Sequence, residues 1–196
     1  YDYPYGRRNL IQDYIPLTLE VGEREPRLET RVRDSSYWRD VGTLDAYWNA
    51  NMDLTGVDPY FNLYGVKWPI HTNQVLAPPA KFIFSVERPE GLRVGKALDS
   101  LVAPGCIVSG IVRNSVLSYN VVIRSWAMVD ESVILDDVVI GRHCKIKKAI
   151  IDKHNYIPPG TEIGFNPIED RKVFPVTPRG IVVVPKGYFK GRSPSS

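Results

Sequence analysis

From Val121 onward the chain reads VVIRSW AMVDES VILDD VVIGRH CKIKK AIIDKH NYIPPG TEIG. Small or aliphatic residues recur at Val121, Ala127, Val133, Val138, Cys144, Ala149, Asn155 and Thr161. A second set trails by two residues, at Ile123, Val129, Leu135, Ile140, Ile146, Ile151, Ile157 and Ile163. The step is six residues, shortened to five in two places, and fits neither the period of a helix nor that of one long strand. It fits short strands of about two inward-facing residues, each followed by a polar corner and stacked so that neighbouring coils bury one continuous apolar column. Ile107, Val112 and Leu117 extend the pattern upstream. A β-sandwich would need hairpin turns such as Asn-Gly or Asp-Gly, and the stretch has none. The expected fold is mainly β, a parallel β-helix of hexapeptide repeats.

Composition narrows the setting. The length of 196 residues suits one or two domains with room for a core. The two cysteines, Cys106 and Cys144, fall at or beside inward repeat positions, too few for a disulfide framework, which points to buried thiols in a reducing, cytoplasmic compartment. No apolar run is long enough to span a membrane, and the start YDYPYGRRN has no apolar h-region. The start also lacks Met and reads like the middle of a domain, so a fragment of a longer protein is expected. The net charge of +3 hides an asymmetry: residues 139–196 hold eleven Lys or Arg against four Asp or Glu. Such a basic end suggests a localised anion site. Nucleic acid is not expected, because no aromatic-interleaved platform or recognition helix accompanies the lysines.

Taken in order, residues 9–18 could form a short amphipathic helix and residues 24–33 an exposed strand or loop. Next comes Tyr37-Trp38-Arg39-Asp40-Val41-Gly42-Thr43, in which Thr43 is a good N-cap for a helix over about 44–54 presenting Leu44, Tyr47, Trp48 and Met52 on one face. Asp40 stands just before that N-terminus, where a carboxylate can reach a bound ion such as Mg²⁺. By spacing alone, an Asp before Gly-Thr is more often a turn residue. Residues 55–84 are rich in Pro, Asn and Tyr and read as an extended linker, stiffened at Pro78-Pro79, or as a plain surface loop. Residues 85–100 read as a polar hairpin or loop leading into the first coil. The expected division is 1–56 as the end of one domain, 57–97 as linker and crossing segment, and 98–196 as the β-helix.

The segment YWRDVGTLDAYWNANMDL (37–54) resembles the W-x-D-[IV]-G-T region of sugar-1-phosphate nucleotidyltransferases. In its longer form it is similar to the bacterial ADP-glucose pyrophosphorylase (glucose-1-phosphate adenylyltransferase) family. The likeness continues through WPIHTNQVLAPPAKF, SLVAPGCIVSGIVRNSVL, VIGRHCKIKKAIIDKHNYIP and RGIVVVPKG, and covers residues 37–190. It implies a left-handed β-helix preceded by the C-terminal part of an α/β nucleotidyltransferase domain. It implies chemistry in which ATP and glucose 1-phosphate give ADP-glucose and pyrophosphate for glycogen synthesis. No protein nucleophile is needed; positioning and electrostatics suffice. The resemblance makes Asp40 one of two carboxylates that hold a catalytic Mg²⁺, places Trp38 and Arg39 at the substrate, and overrides the turn reading of Asp40. The family's Gly-rich triphosphate loop, second metal Asp and sugar-phosphate lysine are absent from these residues, so the chain alone is expected to be inactive.

Lys145, Lys147 and Lys148 are expected around one corner of the β-helix and Lys153 at the next, with Lys186 and Lys190 following a strand over 180–184. A lysine run at a turn is usually a solvated corner. Lys153 and Lys186, however, match positions where the resembled family carries allosteric phosphate-binding residues. Lys190 matches a further basic position in some of its members, and Lys147 is a fourth candidate. The resemblance thus implies a phosphorylated metabolite as activator and a homotetramer as the assembly. Other readings are a different sugar nucleotidyltransferase, a non-catalytic regulatory subunit, or a hexapeptide-repeat acyltransferase using His143 or His154 as general base. The last lacks a coenzyme-binding extension. His71 reads as a surface or packing residue.

Overall fold

The computed structural model describes residues 37–57, 59, 61–65, 75–83, 86–88 and 91–189. The expectations for residues 9–18 and 24–33, for His71 and for Lys190 lie outside these residues. The chain divides into two compact units, Tyr1–Trp38 and Arg39–Ser196.

Three parallel five-stranded sheets make up the body, mainly β as the repeat predicts. Sheet I takes β1 (Lys81–Phe82), β6 (Ile107–Val108), β9 (Val122–Ile123), β12 (Val139–Ile140) and β15 (Tyr156–Ile157). Sheet II takes β4 (Lys96–Leu98), β7 (Ile111–Arg113), β10 (Met128–Asp130), β13 (Lys145–Lys147) and β16 (Glu162–Ile163). Sheet III takes β5 (Leu101–Val102), β8 (Val116–Leu117), β11 (Val133–Ile134), β14 (Ala149–Ile151) and β17 (Val182–Val184). The chain visits the sheets in the order I, II, III and then begins the next coil, the path of the left-handed β-helix that hexapeptide repeats form. Sheet pairing already begins at Lys81 and Phe82 against Ile107 and Val108, and the antiparallel hairpin β2 (Val86–Arg88) and β3 (Gly91–Arg93) leads out of it, as the 85–100 stretch suggests.

The inner column is Val108, Val112, Leu117, Ile123, Val129, Ile134, Ile140, Ile146, Ile151, Ile157 and Ile163, each essentially without solvent exposure. Two assignments from the repeat need correction. At β11 the inward residue is Ile134, whereas Leu135 lies half-buried outside; at β6 it is Val108, and Ile107 faces out at 39% exposure. The physical reason is where the five-residue step falls. It always crosses the corner from sheet II to sheet III, from Val112 to Leu117, Val129 to Ile134 and Ile146 to Ile151. Register confirms this, since Val122 pairs with Val139 and Val139 with Tyr156, giving coils of 17 residues.

That corner has its own sequence signature. At Asp99, Asn114, Glu131 and Lys148 the backbone is left-handed, and the next residue is Ser100, Ser115, Ser132 or Ala149. Each serine hydroxyl donates to a carbonyl of its own coil and accepts an N–H from the next: Ser115 Oγ from Ser132 N and Ser132 Oγ from Ala149 N, both at 3.1 Å. The ladder satisfies buried backbone groups that the tight turn leaves without strand partners. The coil between Ile107 and Val122 is shorter still, at 15 residues. Its extra tightness comes at Gly110, where a Cβ would stand 2.3 Å from the Ala127 carbonyl oxygen.

Helix α1 (Leu44–Asp53) is capped as expected, with the Thr43 hydroxyl accepting from Ala46 N. Tyr47, Trp48 and Met52 pack over sheet III on Val133, Ile150 and Ile181. Leu44 does not share that face and is 49% exposed. Trp48 Nε1 donates to the Glu131 carbonyl at 2.9 Å, and Thr177 Oγ1 donates to Asp45 Oδ1 at 2.5 Å. Val133 is therefore buried by the helix and not by the inner column. A second helix, α2 (Pro167–Val173), which the repeat does not announce, is started by Asn166 as N-cap with Pro at its first turn. Beyond it Phe174 packs against the core, with Tyr188 and Phe189 against its ring.

Candidate anion-binding site

The corner between sheets III and I positions the basic residues. Ile151 pairs with Val184, and continuing that register past the strands sets Lys153 beside Lys186 on successive coils. Gly187 N donates to the Lys153 carbonyl at 3.1 Å, which fixes the two turns together. One coil earlier, His154 N donates to the Asp136 carbonyl and, before that, Asp137 N to Tyr119, so the same turn repeats up the corner. The left-handed residues Asn120, Asp137 and His154, and then Gly187, make each turn possible.

Asp136 sits beneath Lys153. Its Oδ2 is 2.8 Å from Lys153 Nζ, and Oδ1 accepts the Ser118 hydroxyl. Burial pushes the Asp136 carboxyl up, but the hydrogen bonds from Lys153 and Ser118 and the Lys153 charge outweigh it and hold the carboxyl below its ordinary value. The hydrogen bond to Asp136, then its charge, holds the Lys153 ammonium above the usual lysine value. The Lys186 side chain is exposed, and among the described residues no ion pair engages it.

The structure therefore brings Lys153 and Lys186 together and leaves Lys147 elsewhere. Lys147 ends β13 at the corner between sheets II and III, across sheet III from Lys153, with Asp130 as its strand neighbour. Lys145 pairs with Glu162 at 2.8 Å, and Lys148 Nζ donates to the Arg179 carbonyl. Of the three lysines expected around one corner, Lys147 and Lys148 lie at the corner between sheets II and III, whereas Lys145 opens β13 at the other end of the strand; Lys153 takes the next corner, as expected.

At the other candidate position, the Asp40 carboxylate is exposed and its Oδ1 accepts from Gly42 N at 2.9 Å, a local turn. Oδ2 is not used in that turn. Arg39 pairs with Asp53 at the end of α1. Trp38 belongs to the first compact unit and is 61% exposed. Among the described residues no group of three or more His, Cys, Asp or Glu is gathered to hold a metal. Asp40 thus fits one hard oxygen ligand of Mg²⁺, not a complete site.

The two described histidines, His143 and His154, are engaged at corners. His143 stacks on Trp126 with ring centroids 5.0 Å apart, and His154 Nδ1 lies 3.4 Å from Asp137 Oδ2. Cys106 and Cys144 are buried, donate to the Ser118 and Pro158 carbonyls, and burial pushes both thiols up, so they pack as small apolar residues. Sequence reasoning missed Asp136 and Ser118. The available signal was their distance of one coil from Lys153 and from Leu135, respectively.

Comparison with known proteins agrees with the fold. The family described as GlmU-like, C-terminal hexapeptide matches residues 78–184. The chain is 56% identical over 189 residues to a glucose-1-phosphate adenylyltransferase of Methylococcus capsulatus, covering 93% of this chain and 43% of the relative. It is 54% identical over 155 residues to one of Anaeromyxobacter sp. (79% and 37%) and 49% identical over 168 residues to one of Koribacter versatilis (85% and 39%). The resemblance read from its motifs is borne out, and the chain spans about two fifths of the length of the curated relatives it matches. No described helix is long and apolar enough to cross a membrane. By the extent of its repeat domain the chain belongs to the GlmU-like C-terminal hexapeptide family.

Proposed function

We propose that the chain is part of a glucose-1-phosphate adenylyltransferase, a nucleotidyltransferase that joins ATP and glucose 1-phosphate into ADP-glucose with release of pyrophosphate. Identity near one half to several relatives of that name supports the reading. In it, Asp40 contributes one carboxylate oxygen to Mg²⁺, with Trp38 and Arg39 near the substrate, and the remaining ligands come from elsewhere. When bound, Mg²⁺ neutralises charge on the transferring phosphoryl group. The Gly42 N–H orients the Asp40 carboxylate, and the Arg39–Asp53 ion pair ties the segment to the end of α1.

The β-helix serves regulation and assembly: it binds a phosphorylated metabolite activator and takes part in a homotetramer. The observation that carries the regulatory part is the placement of Lys153 and Lys186 on successive coils of one corner. Strands in a sheet stand about 4.8 Å apart, so two ammonium groups there can grip one phosphate from adjacent sides. Lys190 follows on the same segment. Lys147, at another corner, is a solvated residue in this reading. Calorimetric titration of the chain with fructose 1,6-bisphosphate, fructose 6-phosphate and AMP tests it. Saturable binding to at least one, weakened about tenfold in Lys153→Ala and in Lys186→Ala, is expected, on the order of one charge-assisted hydrogen bond each. Binding unchanged in both variants, or none at millimolar ligand, would overturn it.

A further inference from the structure

The corner that carries the two lysines also carries a carboxylate aimed at one of them. Register along sheet III puts Ile134 beside Ile151 and Ile151 beside Val184, so Asp136, Lys153 and Lys186 form a file over three successive coils. Lys153 stands in the middle. Both Asp136 oxygens are engaged, Oδ2 by the Lys153 ammonium at 2.8 Å and Oδ1 by the Ser118 hydroxyl. The carboxylate is thereby held in place from the coil below. Lys153 is its flexible partner, a half-exposed ammonium on a four-carbon stem. The neighbouring Asp137 is committed elsewhere, to Asn120 Nδ2 at 3.2 Å and His154 Nδ1 at 3.4 Å.

A phosphate group and the Asp136 carboxylate are both anions and compete for the one ammonium charge on Lys153. An incoming phosphate must draw the ammonium off Asp136 or accept a like charge beside it. We propose that Asp136 is the internal counter-ion of this corner: it holds Lys153 until a phosphate-bearing anion takes the ammonium toward Lys186, and it thereby sets how tightly the site binds. This rests on the anion-site reading given above. Ser118 acts through Asp136 as a positioning residue, because its hydroxyl keeps the carboxylate in line with Lys153.

The test compares the chain with Asp136→Asn and Asp137→Asn, titrated with fructose 1,6-bisphosphate. Asparagine keeps the shape and still accepts from Ser118, but carries no charge. Binding about two- to fivefold tighter in Asp136→Asn is expected, the span of a partly exposed charge pair, with a smaller change in Asp137→Asn. Weaker or unchanged binding in Asp136→Asn would overturn the proposal, as would an equal gain in Asp137→Asn, which would mean bulk charge alone. A second measurement does not depend on the ligand: the ¹³C resonance of reductively methylated Lys153. Its titration midpoint should fall in Asp136→Asn and stay put in Asp137→Asn; no fall would overturn the pair itself. If the midpoint falls while neither form binds the sugar bisphosphate, the ion pair stands, the anion-site reading fails, and the counter-ion role falls with it.

Discussion

Single side chains do two opposite things with their charge in this molecule. Asp136 is ion-paired and its carboxyl is held down. The stability it adds is present above the ordinary carboxylate value and is lost as pH falls through its depressed value. Asp170, 6% exposed and accepting from Gly164 N, is instead pushed up by burial, so its contribution runs the other way and falls as pH rises through its raised value. Thermal melts between about pH 5 and pH 2, the range where carboxylates lose their charge, should therefore fall less steeply for Asp136→Asn than for the parent chain. Equal slopes would mean that the Lys153 pair adds nothing to the fold. The candidate residues themselves were legible in the sequence one by one. What was not legible is that Lys153 is already occupied, because Asp136 is a neighbour only after one full coil of chain.

At the level of elements, α1 is the piece whose local signals and tertiary role are both clear. Thr43 followed by LDAYWNANMD specifies where the helix starts, and the aromatic pair Tyr47 and Trp48 marks the face that needs cover. Nothing local says that the cover is sheet III. No residue of the helix is itself fully buried, so its hold depends on the cap, the Trp48–Glu131 hydrogen bond and partial burial on Val133, Ile150 and Ile181. Thr43→Ala should cost about 1 kcal/mol, the usual worth of a Ser or Thr cap. Hydrogen exchange of the α1 amides should quicken while the strand amides of sheets I and II stay protected. Exchange that quickens evenly through the sheets would show the helix and the coils to be one cooperative unit.

Across the whole molecule, the column of stacked apolar residues joins the coils, since each repeat buries its inner residues only against its neighbours. Adjacent residues on one strand should then differ sharply. Ile134→Ala removes a side chain with no exposure from the inner column and should cost about 2–5 kcal/mol. Leu135→Ala trims a half-buried residue on the outside and should cost well under half as much. Denaturant unfolding of the two variants checks this, and the reverse order would place the five-residue step where the bare repeat puts it.

The sequence by itself determined the architecture. A six-residue apolar step can bury its residues only in stacked three-sided coils, and motifs dispersed over 37–190 carry a family likeness that close relatives bear out. It also determined the α1 start and the corners that hold the lysines. Tertiary structure alone decided three things. It decided the side of each coil that takes the short step, because the serine ladder at that corner satisfies groups only when coils are stacked. It decided that Val133 is buried from outside, because a helix some eighty residues earlier returns to cover it, as the Trp48–Glu131 bond records. And it decided which charges meet, because residues far apart in the chain become neighbours only through the coil repeat, which puts Asp136 beneath Lys153 and Lys186 above it, with Lys147 at another corner.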